Sequence, residues 1–254
     1  MQAIIIAAGL GRRLKPLTDH LPKCMLEIDG KSIIQHQVNT LRSAGVERIA
    51  IIKGYCEEKV QLEGQNPTYF FNRDYKYNNI LESLFYAEEV INDQVIILYS
   101  DIIFEKTVVE RLLKSHNEIS IVIDVDWKNN YVDRRDNPME DAEGVILDDN
   151  SQIRQIGKII EEGKAEVSGE FIGMMKLRGQ GSEIFKSFYH KSRKLYKEKP
   201  FQRAQSIRVA YLTDLIQELA DNAIPVFCVK INNGWREIDT VEDLKKAAGF
   251  FKNT

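Results

Sequence analysis

Cysteine is scarce in this chain, with three among 254 residues, at positions 24, 56 and 228. An odd and unclustered set builds neither a disulfide framework nor a thiolate metal centre, and it predicts reduced thiols and a cytoplasmic setting. Cys24, beside Lys23, is expected to be small core filler rather than a catalytic thiol. Histidine is scarce as well. His20, His36, His116 and His190 show no spacing that would pair metal ligands on one helical face. A strong net charge is missing: 35 basic and 38 acidic residues leave −3. The chain as a whole therefore has no field to attract nucleic acid or an anionic membrane. No apolar run approaches the roughly 18–20 residues that cross a bilayer. The apolar stretch Ala3–Ala8 has no basic residues before it, so no signal peptide is expected. Repeats, low-complexity tracts and compositional breaks are all absent. One domain over residues 1–254 is expected, with a first half (1–125), an elaboration (126–239) and a closing helix (240–254).

What is present is an alternation of short β-rich runs and helical stripes. Ala3–Ala8, Arg48–Ile52, Thr68–Phe71, Val95–Tyr99 and Ile119–Val125 read as strands. Between them, Ile33, Ile34, Val38 and Leu41 fall on one helical face, as do Ile80, Leu81, Leu84 and Phe85, and then Val108, Leu112 and Leu113. This predicts an α/β fold, Rossmann-like, with a mixed, mostly parallel central sheet and helices on both faces. The second half predicts a small β-rich, substrate-side elaboration. Residues 126–141 read as a polar surface loop, Glu143–Gly157 as a hairpin turning at Asp148–Ser151, and Glu166–Leu177 as an extended segment. Helices follow near Ser182–Tyr196 and Tyr211–Asn222, a strand at Val226–Ile231, and a last helix at Val241–Phe251.

Function concentrates where the first strand ends, in Ala7-Ala8-Gly9-Leu10-Gly11-Arg12-Arg13-Leu14-Lys15-Pro16-Leu17-Thr18 and Pro22-Lys23. Small residues let a ligand approach the backbone, and free N–H groups with nearby cations suit a polyphosphate. The P-loop pattern of glycine, four residues and Gly-Lys-Ser/Thr is absent. The dinucleotide fingerprint fails at its third glycine, where Leu14 stands. Two acids could supply hard oxygen ligands to a divalent metal. Asp101 follows an apolar strand and Ser100. Asp239 ends Trp235-Arg236-Glu237-Ile238-Asp239. Read alone, Asp101 is equally a strand-end turn and Asp239 a helix N-cap.

The first segment resembles the signature of nucleotidyltransferases of the sugar-1-phosphate and choline-phosphate type, Gly-x-Gly-x-Arg-Leu-x-Pro-Leu-Thr…Pro-Lys. Later stretches are similar, in order, to the transferases associated with phosphoenolpyruvate mutase, which attach CMP to phosphonates such as 2-aminoethylphosphonate. These are Tyr99–Phe104, Val122–Trp127, Ile156–Lys158, Gly169–Gly173 and Gly234–Asp239. The resemblance implies an enzyme that uses CTP and Mg²⁺ and releases pyrophosphate. Arg13 and Lys23 then contact the triphosphate, Ala7 to Gly11 and Ser100 lie against the nucleotide, and Asp101 and Asp239 hold the metal. Ser83, in a stretch resembling the base pocket of cytidylyltransferases, reads cytosine. Lys158 and Arg134 are candidate ligands of the acceptor's phosphonate, and Glu170 or Glu237 of its amine. Trp127, Tyr131 and Trp235 are candidates to box an ammonium by cation–π contact. Phosphocholine and sugar-1-phosphate are the competing acceptors, and a non-catalytic nucleotide-sensing subunit is the competing class. The near-neutral charge implies no nucleic acid or membrane partner, and a homodimer is compatible with this reading.

Overall fold

The computed structural model describes residues 1–62, 64–132, 134–136, 139–158 and 166–253. The strands are β1 (Gln2–Ala7), β2 (Glu27–Ile28), β3 (Lys31–Ser32), β4 (Arg48–Lys53), β5 (Thr68–Phe71), β6 (Gln94–Tyr99), β7 (Ile102–Phe104), β8 (Ile119–Asp124), β9 (Gly144–Leu147), β10 (Ile153–Gly157), β11 (Gly169–Arg178), β12 (Phe227–Ile231) and β13 (Trp235–Glu237). The α-helices are α1 (Ile33–Ser43), α2 (Ile80–Leu84), α3 (Lys106–Lys114), α4 (Gln180–Leu195), α5 (Leu212–Asp221) and α6 (Val241–Lys246).

Nine strands form the central sheet, in the order β10-β9-β11-β6-β1-β4-β5, with β8 also on β11 and β12 on β8. The pairs β1–β4, β1–β6, β4–β5 and β8–β12 are parallel. β11 runs against β6, β8 and β9, and β10 runs against β9. Seven strands thus point one way and two the other, the mixed and mostly parallel sheet that the alternation predicted.

Both faces are covered, which is why β1 is apolar throughout rather than alternating with polar residues. Ile4 and Ile6 pack with Leu81 of α2, Phe185 of α4 and Leu215 of α5. Ala3 and Ile5 pack on the other face with Val38 of α1 and Val109 of α3. A third cluster, Leu14, Leu26, Ile28, Ile33, Ile103, Ile238 and Ala247, joins the glycine-rich segment to the C-terminal part of the chain.

The predicted elements recur within a few residues, with three differences. The last helix stops at Lys246, because Gly249 adopts φ +85° and its N–H is held by the Asp29 carboxylate at 2.8 Å. The two-stranded pairing of β7 with β13 was not foreseen, since three-residue strands carry no readable period. Residues 126–141 are not simply a solvated loop: Trp127 and Tyr131 are buried with Ala142.

Candidate active site

The glycine-rich segment is shaped by Gly11, at φ +58°. A side chain there would stand 3.0 Å from Cβ of Lys23 and 3.2 Å from Cγ2 of Thr18. Thr18 Oγ1 donates to Gly11 O at 2.8 Å, and the wholly buried Leu14 nails the turn to the third cluster. A second support comes from beneath. Gly54 lies so close to Ala8 O that a Cβ would sit at 2.7 Å, and Tyr55 OH donates to Asp19 O at 2.6 Å.

The two acids are brought together by β7 and β13. Glu237 pairs with Ile102, and Ile238 N donates to Asp101 O at 2.8 Å. Gln37 of α1 fixes the turn around Asp101, donating to Tyr99 O at 2.8 Å and Ile102 O at 2.7 Å. Lys23 Nζ sits between the acids, donating to Asp101 Oδ2 at 2.9 Å and also to Asp239. Arg13 donates to Asp239 and lies 3.4 Å from Asp141. Asp239 is not an N-cap. Thr240 caps α6 in a capping box with Asp243, which leaves the Asp239 carboxylate to the cleft.

Around these groups opens a cleft of about 360 Å³. It is lined by Ala7, Ala8, Gly9, Gly11, Arg13, Lys23, Ser83, Ser100, Asp101 and Asp239, and further out by Lys158, Glu170, Trp235 and Glu237. Leu10 is not among the lining residues, although its neighbours Gly9 and Gly11 are. Ser83 Oγ accepts from Asn72 Nδ2 at 2.7 Å, within a buried network that includes Asn78. Asn79 caps α2, and its Oδ1 accepts from Ile80 N at 2.8 Å.

Three acceptor candidates, Trp127, Tyr131 and Arg134, do not line the cleft, and they form its outer support instead. Trp127 and Tyr131 stack edge to face at 5.9 Å. The Tyr131 hydroxyl donates to Glu170 Oε1 at 2.5 Å. The Arg134 side chain is only 6% exposed and is bound to Asp243 at 2.7 and 3.0 Å and to Glu237 at 3.0 Å. Its valences are spent on protein carboxylates, which corrects its assignment as a phosphonate ligand. Trp235 does reach the cleft, but its indole N–H is committed to Asp124 Oδ2 at 2.8 Å. Lys158 faces the cleft over the Tyr211 ring, 5.1 Å away, and lies 4.0 Å from Asp141.

Comparison with known proteins places this geometry. The family model described as the MobA-like NTP transferase domain matches residues 3–139. The chain is 33% identical to CTP:phosphoglutamine cytidylyltransferase of Campylobacter jejuni, over 96% of this chain and 98% of that protein. The chain belongs to the MobA-like NTP transferase family. It is a nucleotidyltransferase. 2-Aminoethylphosphonate cytidylyltransferase of Lancefieldella rimae is 39% identical, but over 35% of this chain and 37% of that protein. Among solved structures, the CTP:phosphocholine cytidylyltransferase of Streptococcus pneumoniae has TM-score 0.72 and 21% identity, covering 96% of each chain, a likeness of fold.

The electrostatics of this nucleotidyltransferase site divide into two regions. Beside the glycine-rich turn, burial works against the charge of Lys23, yet Asp101 and Asp239 overcome it and hold the ammonium firmly protonated. Burial likewise works against Asp239, but Lys23 and Arg13 bring its carboxyl down to about 2. Around the outer carboxyls the cations do less, and Lys158 and Arg134 offset the burial of Glu143 and Glu170 only in part. Burial pushes Glu170 up to about 8 and Glu143 up to about 7. Glu237 is raised well above the usual range by burial and by the neighbouring Asp239 and Asp101. Cys24 is buried, its thiol is pushed up to about 12, and it is not disulfide-bonded, as filler should be. Sequence reasoning missed Glu143, Asp141, Tyr211 and Gln37. Glu143 sits at a strand entrance, where only the Glu143-Gly144 step hinted at it. No helix among the described residues is long and apolar enough to cross a membrane.

Proposed function

We propose that this nucleotidyltransferase uses CTP and transfers CMP to a small phosphonate such as 2-aminoethylphosphonate, releasing pyrophosphate. The observation that carries the reading is the convergence of Arg13, Lys23, Asp101 and Asp239 beside the Gly9–Gly11 backbone. The names of its relatives support cytidine as the nucleoside. A second reading, phosphoglutamine as acceptor, is favoured by the relative that matches nearly the whole chain.

In this mechanism the triphosphate gives Arg13 and Lys23 new anionic partners in place of Asp239 and Asp101. An acceptor oxygen forms a bond to the α-phosphorus while the bond from that phosphorus to its bridging oxygen breaks, and pyrophosphate carries the electron pair away. A phosphonate oxygen is already anionic, so no general base is required. Arg13 and Lys23 hold the charge that builds on the leaving group, and the loop backbone keeps the α-phosphorus in line.

The residues also fit a magnesium ion. Asp101 and Asp239 offer hard oxygens, and Asp101 Oδ1 is buried with no hydrogen-bond partner. Magnesium is commonly held by one or two carboxylates together with substrate phosphates, so a two-carboxylate set is sufficient. When bound, it would neutralise charge on the phosphoryl group being transferred.

A pyrophosphate-release screen tests the reading, with each NTP crossed with 2-aminoethylphosphonate, phosphoglutamine, phosphocholine and glucose-1-phosphate. Release with CTP and the phosphonate is expected. Release confined to UTP or dTTP with glucose-1-phosphate, or with no pair at all, overturns it.

A further inference from the structure

We propose that Glu143 and Glu170 form a paired subsite for an N–H donor on the acceptor, so that this enzyme takes primary amines or amides and discriminates against quaternary ammonium analogues. The inference rests on the cytidylyltransferase reading and narrows its acceptor.

The two carboxyls are neighbours through the sheet. Glu170 pairs with Gly144, and Phe171 N donates to Glu143 O at 2.8 Å. Both line the acceptor end of the cleft, and they are 8% and 4% exposed. Neither is fully served by hydrogen bonds. Glu143 takes one neutral donor on each oxygen, Tyr99 OH at 3.2 Å and Thr213 Oγ1 at 3.0 Å. Glu170 takes Tyr131 OH on Oε1, while its buried Oε2 has no partner. A carboxylate offers about four acceptor sites, and a buried oxygen without a donor is costly. An ammonium or amide nitrogen entering from the cleft would donate to Oε2 of Glu170 and to Glu143 together, and an ammonium would bring the charge that burial otherwise disfavours. Burial raises both carboxyls even with Lys158 near Glu143 and Arg134 near Glu170, so the charge of neither is fully compensated within the protein.

A quaternary ammonium brings charge but no N–H, and it needs aromatic faces instead. Of the three that the sequence suggested, Trp127 is outside the cleft lining and the Tyr131 ring is already covered by Arg134 at 5.1 Å, which leaves Trp235 without the other two walls of a box.

The test uses matched acceptors with CTP: 2-aminoethylphosphonate against its N,N,N-trimethyl analogue, and phosphoethanolamine against phosphocholine. Pyrophosphate release should favour the primary amine by about tenfold or more in kcat/KM, the range of a charged hydrogen bond. Glu143→Gln should raise KM for the amine by about tenfold, with KM for CTP unchanged and the preference over the methylated partner reduced. Glu170→Gln, tested in parallel, serves if Glu143→Gln does not fold. Equal use of both members of each pair, or a variant that keeps the full preference, overturns the subsite while leaving the cytidylyltransferase reading intact. Absence of release from CTP with all four acceptors and with phosphoglutamine overturns that reading and the subsite with it.

Discussion

Replacing Arg134 by alanine separates a ligand from a strut. The guanidinium makes three hydrogen bonds to two carboxylates, of Asp243 and Glu237, and its cation covers the Tyr131 ring. Asp243 is itself 5% exposed and accepts from Asp239 N at 3.0 Å and Thr240 N at 2.9 Å. Removing the arginine therefore leaves a buried carboxylate without its counter-ion. Such losses cost about 3–5 kcal/mol. Two features pull the value toward the lower end: the capping donors remain on Asp243, and burial already raises the Glu237 carboxyl well above the usual range. A loss of about 3 kcal/mol is expected, which for a chain of this size lowers the melting temperature by about 6–12 °C. Arg134→Lys should recover only part of it, because an ammonium cannot span both oxygens of Asp243 as the planar fork does. Urea unfolding of the three proteins measures the difference. A loss under about 1 kcal/mol in Arg134→Ala, accompanied by a large rise in KM for the acceptor, would refute the strut and return Arg134 to the substrate.

Other outcomes follow from the same geometry. Asp101→Ala should abolish pyrophosphate release while circular dichroism stays unchanged; near-normal turnover would sink the metal assignment. Gly173→Ala should be destabilising and should disturb the cleft wall, because a Cβ there, at φ +76°, would stand 2.5 Å from Cδ2 of Tyr99. An unchanged melting temperature and KM would count against that packing. Glu143 and Glu170 bind protons more tightly folded than unfolded, so stability should fall as pH rises from about 5 through about 7 and 8. Glu143→Gln should flatten that slope in a series of urea titrations, and a wild-type profile unchanged by the substitution would contradict it. Asp239 acts in the opposite sense: its stabilising part is complete above about pH 4 and disappears as pH falls through about 2.

Much of this protein was legible along the chain because its information is local. The apolar runs around Ile4, Ile51 and Ile97 could only be strands covered on both faces, and the turn from Ala8 to Lys23 carries its small residues and cations within one segment. The hairpin expected over Glu143–Gly157 announced itself by its turn residues, and β9 and β10 pair there. What the chain could not disclose is which polar groups meet each other. Arg134, Trp127 and Tyr131 have the composition of a binding loop, but folding spends them on each other and on Asp243 and Glu170, which lie far away in sequence. Glu143 gave no signal beyond its place before Gly144, and only the pairing of β9 with β11 sets it beside Glu170. The chain by itself determined the alternation of strands and helices, the coverage of those strands and the glycine-rich turn, since periodicity and glycine placement act over a few residues. The tertiary structure alone decided that Asp101 and Asp239 share Lys23 and that Glu143 and Glu170 line one cleft, because those encounters depend on β7 meeting β13 and on β11 running against its neighbours.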